Sequence, residues 1–178
     1  FDPSGAQFQL VVDLPWIPPE LREDRGEIAA AEADELPALV TAADMRGDLH
    51  CHTKATDGAD TMEAMAEAAR ARGYAYLAVT DHSRRVAMAH GLDEKRLREQ
   101  LAAIDRLNDD LDGITLLKGI EVDILENGSL DLPDAVLAEL DLTVCSVHYR
   151  FDLSREKQTE RILKAMDNPH FRILGHPT

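Results

Sequence analysis

The sequence predicts a parallel α/β fold, and three observations carry that reading. Five short strand-like runs alternate with segments of helical period. The runs are apolar along both faces, as strands covered on both sides by helices are. Each run also ends, on its C-terminal side, in histidine or carboxylate, at the edge where parallel α/β proteins build their sites.

Residues 1–45 carry no sustained period. Pro15, Pro18 and Pro19 interrupt any helix, and residues 27–35 are an Ala/Glu run of helical composition. This stretch reads as a linker or the tail of a preceding domain, with Trp16 packed against something apolar. Residues 46–178 form the folded domain. Gly47–Cys51 reads as a strand. Asp60 and Thr61 cap a helix to Arg72, with Gly73 as its stop. Residues 74–80 are a nearly continuous apolar strand. Leu97, Leu101, Ile104, Leu107 and Leu111 recur at helical spacing within residues 92–111. Residues 114–125 read as one strand, 134–140 as a short helix and 141–147 as a strand. Ser154 caps a helix to Met166, and 171–174 is the last strand. Five units are too few to close a barrel of seven or eight, so either the sheet is open or the chain stops early.

Composition bounds the function. The chain has 178 residues, 44% hydrophobic and 30% charged, which suffices for one sizeable core. No apolar run reaches the roughly 18 to 20 residues of a membrane helix, so no membrane partner is expected. The chain begins at Phe1, without a basic-then-apolar leader, and reads as a piece of something longer. Cys51 and Cys145 are isolated thiols, which favours a reducing, cytoplasmic compartment and a core role for both; only Cys51 lies near metal-type residues. The net charge of −15 argues against broad electrostatic binding of nucleic acid. Bound cations would reverse that sign locally.

The strand ends carry the chemistry. His50 and His52, two apart on a strand, point to one face with Cα atoms about 7 Å apart. Asp57 follows, then His82, Glu121, His148 and His176, each at the same end of successive strands. One histidine at a strand end is more often structural than a ligand; seven such residues in register point to metal. Mixed imidazole and carboxylate ligands suit Zn²⁺, Mn²⁺ or Fe²⁺, and seven are too many for one tetrahedral ion. Two or three divalent ions follow, a set that activates water and stabilises both oxygens of phosphoester hydrolysis. Glu121, on the central strand, is the natural bridging carboxylate, and Glu121 with His148 forms the candidate catalytic pair. Asp81 and Asp123 are expected to orient ligands from behind. Arg84 and Arg150 are the candidate substrate-binding residues, with Arg85 and Lys118 also placed to meet a phosphate. His90 and His170 read as non-ligands, and the acidic residues 105–112 as a solvated face.

The set Asp48-Leu49-His50-Cys51-His52-Thr53 with Thr56-Asp57-Gly58, then Thr80-Asp81-His82-Ser83, Gly119-Ile120-Glu121-Val122-Asp123, Ser146-Val147-His148 and Gly175-His176-Pro177-Thr178 resembles, in order, the motifs of the polymerase-and-histidinol-phosphatase (PHP) family. The resemblance implies a distorted (β/α)₇ TIM-like barrel holding a trinuclear metal site, and His50, His52, Asp57, His82, Glu121, His148 and His176 match the family's ligand positions. The family's last motif, an Asp-x-His on a later strand, is absent from a sequence that ends at Thr178. The barrel is therefore expected to stop before its last strands, with incomplete metal binding. Residues 14–27 are similar to the junction ahead of the PHP domain in bacterial family-X DNA polymerases. That implies a Mn²⁺-dependent 3′-5′ exonuclease of DNA repair, acting on a DNA 3′ end, with a polymerase domain in the full-length protein. The alternatives are a histidinol-phosphatase-like enzyme acting on another phosphoester, and a non-catalytic structural module, which the intact set through His176 disfavours.

Overall fold

A computed structural model describes residues 14–177; residues 1–13 of the expected linker, and Thr178 of the motif that holds His176, lie outside it. The chain divides between Met45 and Arg46 into two compact units. In the first, Pro19–Leu21 and Ala42–Asp44 are single 3₁₀ turns and α1 is Glu27–Glu32, shorter than the Ala/Glu run suggested. Trp16 is not the buried residue there. It is 39% exposed, with the Arg22 guanidinium 4.5 Å over its ring, while Ile17 is buried. The amphipathic indole keeps one face for a cation and leaves the apolar position to its neighbour.

The second unit is parallel α/β. Its strands are β1 Gly47–Cys51, β2 Tyr76–Val79, β3 Thr115–Lys118, β4 Glu121–Asp123, β5 Val144–Ser146 and β6 Ile173–Leu174. Its helices are α2 Met62–Ala71, α3 Glu94–Asp110, α4 Asp134–Leu137 and α5 Arg155–Met166. Caps fix the three long helices. The side chains of Thr61, Asp93 and Ser154 accept from the backbone N–H of Ala64, Arg96 and Lys157, three residues on in each case. Gly73 ends α2 at φ +79°, a left-handed position that glycine adopts without strain. Leu97, Leu101 and Ile104 of α3 are buried, as their spacing predicts, and Leu107 and Leu111 pack at the core's margin.

The strand expected over 114–125 is divided. Its first half, β3, pairs with β2; its second half, β4, pairs with β5; both pairings are parallel. The division falls at Gly119-Ile120, where the chain crosses close to the end of β2. A Cβ on Gly119 would stand 2.8 Å from Thr80 Cγ2 and 2.9 Å from Val79 O. Hydrophobic pattern is blind to such a bend, because both halves stay apolar. We expect Gly119→Ala to cost about 1–3 kcal/mol in urea denaturation, since β2 or β3 must shift to admit the methyl.

The order β1-β2-β3 and β4-β5-β6 follows the sequence without reversal. A bridge between His82 and Glu121 links the two sheets, with Glu121 N–H donating to Asp81 O and Ser83 N–H to Glu121 O. That progressive order is the order of a barrel wall, and a doubly wound sheet would reverse. The described strands nonetheless make two open sheets, and closure into the expected (β/α)₇ barrel is not shown.

Candidate metal centre

Glu121 is the floor of the site. It begins β4, just past the bend, and is 1% exposed. Five imidazoles surround its carboxylate. His50 Nε2, His52 Nε2 and His82 Nδ1 each lie 3.2 Å from Oε2; His148 Nε2 and His176 Nε2 lie 3.2 and 2.9 Å from Oε1. Asp57 closes one side, with its oxygens 3.1 Å from His52 Nδ1 and 3.3 Å from His82 Nε2. His50, Asp57 and His176 are a third to a half exposed and form the rim. All seven residues named from the sequence thus come together. Three overlapping groups among them, His50/His52/Glu121, His52/Asp57/His82 and His82/Glu121/His148, are tight enough to hold a divalent ion each.

The donor set fits cations better than it fits itself. His52 Nδ1 and His82 Nδ1 are buried and lie within 3.2 Å of carboxylate oxygens, yet neither has a hydrogen-bond partner. Nitrogen and oxygen lone pairs that approach without aiming at each other aim instead at a shared point. His50 and His52 Nε2 atoms are 3.3 Å apart and His148 and His176 Nε2 atoms 3.2 Å apart. Two ligands each about 2.0–2.1 Å from a tetrahedral ion would stand at close to that spacing.

Behind this layer the two aspartates act differently. Asp123 Oδ1 lies 3.2 Å from His148 Nδ1, which orients the ring so that its Nε2 faces Glu121. Asp81, fully buried, touches none of the candidate ligand side chains. It accepts from Thr53 N–H (2.8 Å), Thr53 Oγ1 (2.7 Å), Thr56 Oγ1 (2.5 Å) and the Gln100 amide, so it pins the loop that carries His52 and Asp57. Ser146 Oγ donates to Glu121 Oε1 at 2.6 Å. Gln100 and Arg161 were not singled out in the sequence. Arg161, 2% exposed, donates to Ile124 O (3.1 Å), Leu125 O (3.0 Å) and Tyr149 O (3.0 Å), joining the segments that follow Asp123 and His148. A helical arginine reads as a solvated charge, and the only hint was its i,i+4 spacing to the buried Ala165.

The cationic residues fall unevenly. Arg84 Nε is 3.5 Å from Asp131, and Arg150 pairs with Glu126 (3.0 Å) and Asp152 (3.2 Å). Lys118 turns to Asp105 at 2.6 Å. Arg85 lies over the Tyr149 ring at 4.2 Å. His90 and His170 belong to none of the ligand groups. Cys51 Sγ donates to Ala78 O at 3.0 Å, and burial, then Asp48 and Asp81, push its thiol up to about 12, so it stays protonated packing. Cys145 is buried and free.

Charge in the cluster is strongly coupled. Burial disfavours the Glu121 carboxylate, but hydrogen bonds from His148, His50, His52 and Ser146 outweigh it and hold its pKa far below the usual range. Asp123, then Glu121, push His148 up to about 9 against desolvation, while burial pulls His82 down. A raised imidazole pKa contributes stability that is fully present below about 6.5 and lost as pH rises through about 9. Chelator-stripped protein should therefore melt lower as pH climbs across that window. A bound ion would displace the His148 proton, and Glu121 raises His52 as well, so uptake at pH 7 should release at least about one proton per protein, read by calorimetry in two buffers of different ionisation enthalpy. Uptake with no proton release would remove His148 from the ligand set.

A parallel α/β unit with clustered imidazoles and carboxylates at its strand ends defines the class of metal-dependent hydrolases built at that edge. Residues 48–175 match the PHP domain family, and the chain belongs to it. PHP domains are metal-dependent, and the clusters around Glu121 are able to bind metal. The chain is 40% identical over 176 residues to the DNA polymerase/3′-5′ exonuclease PolX of Bacillus subtilis, covering 99% of this chain and 30% of that protein. It is 33% identical over 135 residues to a probable phosphatase of Thermoanaerobacter sp., covering 73% of this chain and 53% of the relative. A probable phosphatase of Syntrophotalea carbinolica is 32% identical over 136 residues, with the same coverage of both chains.

Proposed function

We propose that this domain hydrolyses phosphodiesters at a two- or three-ion Mn²⁺ or Zn²⁺ centre, as the 3′-5′ exonuclease module of a family-X DNA polymerase acting on DNA in repair. The observation that carries it is the convergence of five imidazoles on Glu121, with Asp57 against two of them, His52 and His82. His50, His52, Asp57, His82, Glu121, His148 and His176 would hold the ions, with Glu121 shared between groups. Divalent ions so bound lower the pKa of water and offset charge on phosphate oxygens. The chain's own residues prepare that chemistry. Asp123 orients the His148 ring, Ser146 orients Glu121, and Asp81 holds the His52–Asp57 loop. The exonuclease reading is supported by similarity to the Bacillus subtilis protein along almost the whole chain.

A second reading, a small-molecule phosphatase, is favoured by the probable phosphatases that match the same domain. Protein loaded with Mn²⁺ or Zn²⁺ and offered a 3′-ended oligonucleotide and a phosphomonoester separates them. Shortening of the oligonucleotide from its 3′ end is expected. Release of phosphate from the monoester alone would transfer the assignment to the phosphatase.

A further inference from the structure

The loops that leave β2 and β5 beside the centre carry side chains the hydrolytic chemistry does not use. Phe151, three residues after His148, is 71% exposed. Its exposure does not come from a loose loop. Arg150, before it, sits at φ +55°, donates to Glu126 and Asp152, and its carbonyl accepts from the Gln158 amide at 2.6 Å. Two residues earlier, the Tyr149 ring has Arg85 at 4.2 Å and the buried Arg161 at 4.8 Å, and its hydroxyl accepts from Glu126 N–H. Arg85, three residues after His82, pairs with no carboxylate among the described residues, unlike Arg84 and Arg150. An exposed aromatic ring on a hydrogen-bonded loop and a guanidinium without a carboxylate partner thus stand on adjacent loops, each three residues past a candidate ligand.

We propose that Phe151 and Arg85 form a nucleotide platform at the mouth of the centre, with Phe151 stacking a nucleobase and Arg85 taking an adjacent backbone phosphate. The proposal rests on the phosphodiesterase reading and names its substrate as a base-bearing single strand. Charge favours this division of labour. In a protein of net charge −15, general attraction of phosphates is weak, whereas stacking is indifferent to net charge. The neighbouring Arg85 supplies the one local cation needed to orient the strand.

The test is binding of fluorescein-labelled oligothymidylate against an abasic strand of the same length, by anisotropy, with metal content and melting temperature measured alongside. Wild type is expected to prefer the base-bearing strand by about tenfold. Phe151→Ala should erase that preference with metal content unchanged, and Arg85→Ala should weaken both strands several-fold. Absence of preference in the wild type, or its retention in Phe151→Ala, overturns the platform. Phe151→Trp in a Trp16→Phe background gives an independent reading. Its fluorescence should be quenched by oligothymidylate and not by the abasic strand, and no quenching overturns the proposal as well. A wild type that takes up no metal yet keeps the Phe151-dependent preference sinks the hydrolase reading alone.

Discussion

Glu121→Gln is expected to lower divalent-metal affinity by at least about 100-fold and to abolish hydrolysis, while leaving a folded protein. Loss of an outer partner to a metal ligand costs about 10–100-fold by itself. Here the two oxygens meet five ring nitrogens between 2.9 and 3.2 Å, so one substitution removes the charge shared by every ligand group but His52/Asp57/His82. The amide also turns a donor toward rings whose lone pairs face the same point. His50→Ala, which removes one rim imidazole a third exposed, should cost less. Elemental analysis after gel filtration against a graded chelator measures both, with circular dichroism as the folding control. Equal metal retention in Glu121→Gln and wild type would mean the centre is not built on this carboxylate.

Much of the site was legible in the sequence because its ligands come from strand ends. A short apolar run fixes where the backbone stops being buried, and alternation puts His50 and His52 on one face. Two helix caps were legible for a similar reason, since Thr61 and Ser154 act on backbone three residues away; the Asp93 cap appears only in the structure. What stayed hidden depended on contacts between distant segments. The break at Gly119 is set by the approach of Thr80 and Val79, nearly 40 residues upstream. The partners of Asp81 come from Thr53 and Thr56, whose motif does not say what they bond, and from Gln100, which lies in no motif. Arg85, expected only as one of several cations near a phosphate, differs from Arg84 by what its guanidinium meets, which no one-dimensional pattern encodes.

Arg161 is the largest such omission, and its replacement should produce the largest loss of stability. The side chain is 2% exposed, has no carboxylate partner among the described residues, and is satisfied by carbonyl oxygens of Ile124, Leu125 and Tyr149. Exchanging a buried ion pair for apolar residues is often harmless, because both charges leave together. Here only the cation leaves; Leu125 O keeps the Gly128 N–H, but the Ile124 and Tyr149 carbonyls lose their donor, so Arg161→Met should destabilise by about 3–5 kcal/mol. At about 2–4 °C per kcal/mol for a chain of this size, the melting temperature should fall by on the order of 10 °C. Arg161→Lys keeps the charge but not the fork, and one ammonium cannot span the segments after Asp123 and His148. It should recover part of the stability and little of the metal affinity, because the Tyr149 carbonyl that helps fix His148 is released. A melting temperature unchanged in Arg161→Met would show that water satisfies those carbonyls as well, and that β4, β5 and their ligands are held in place by packing alone.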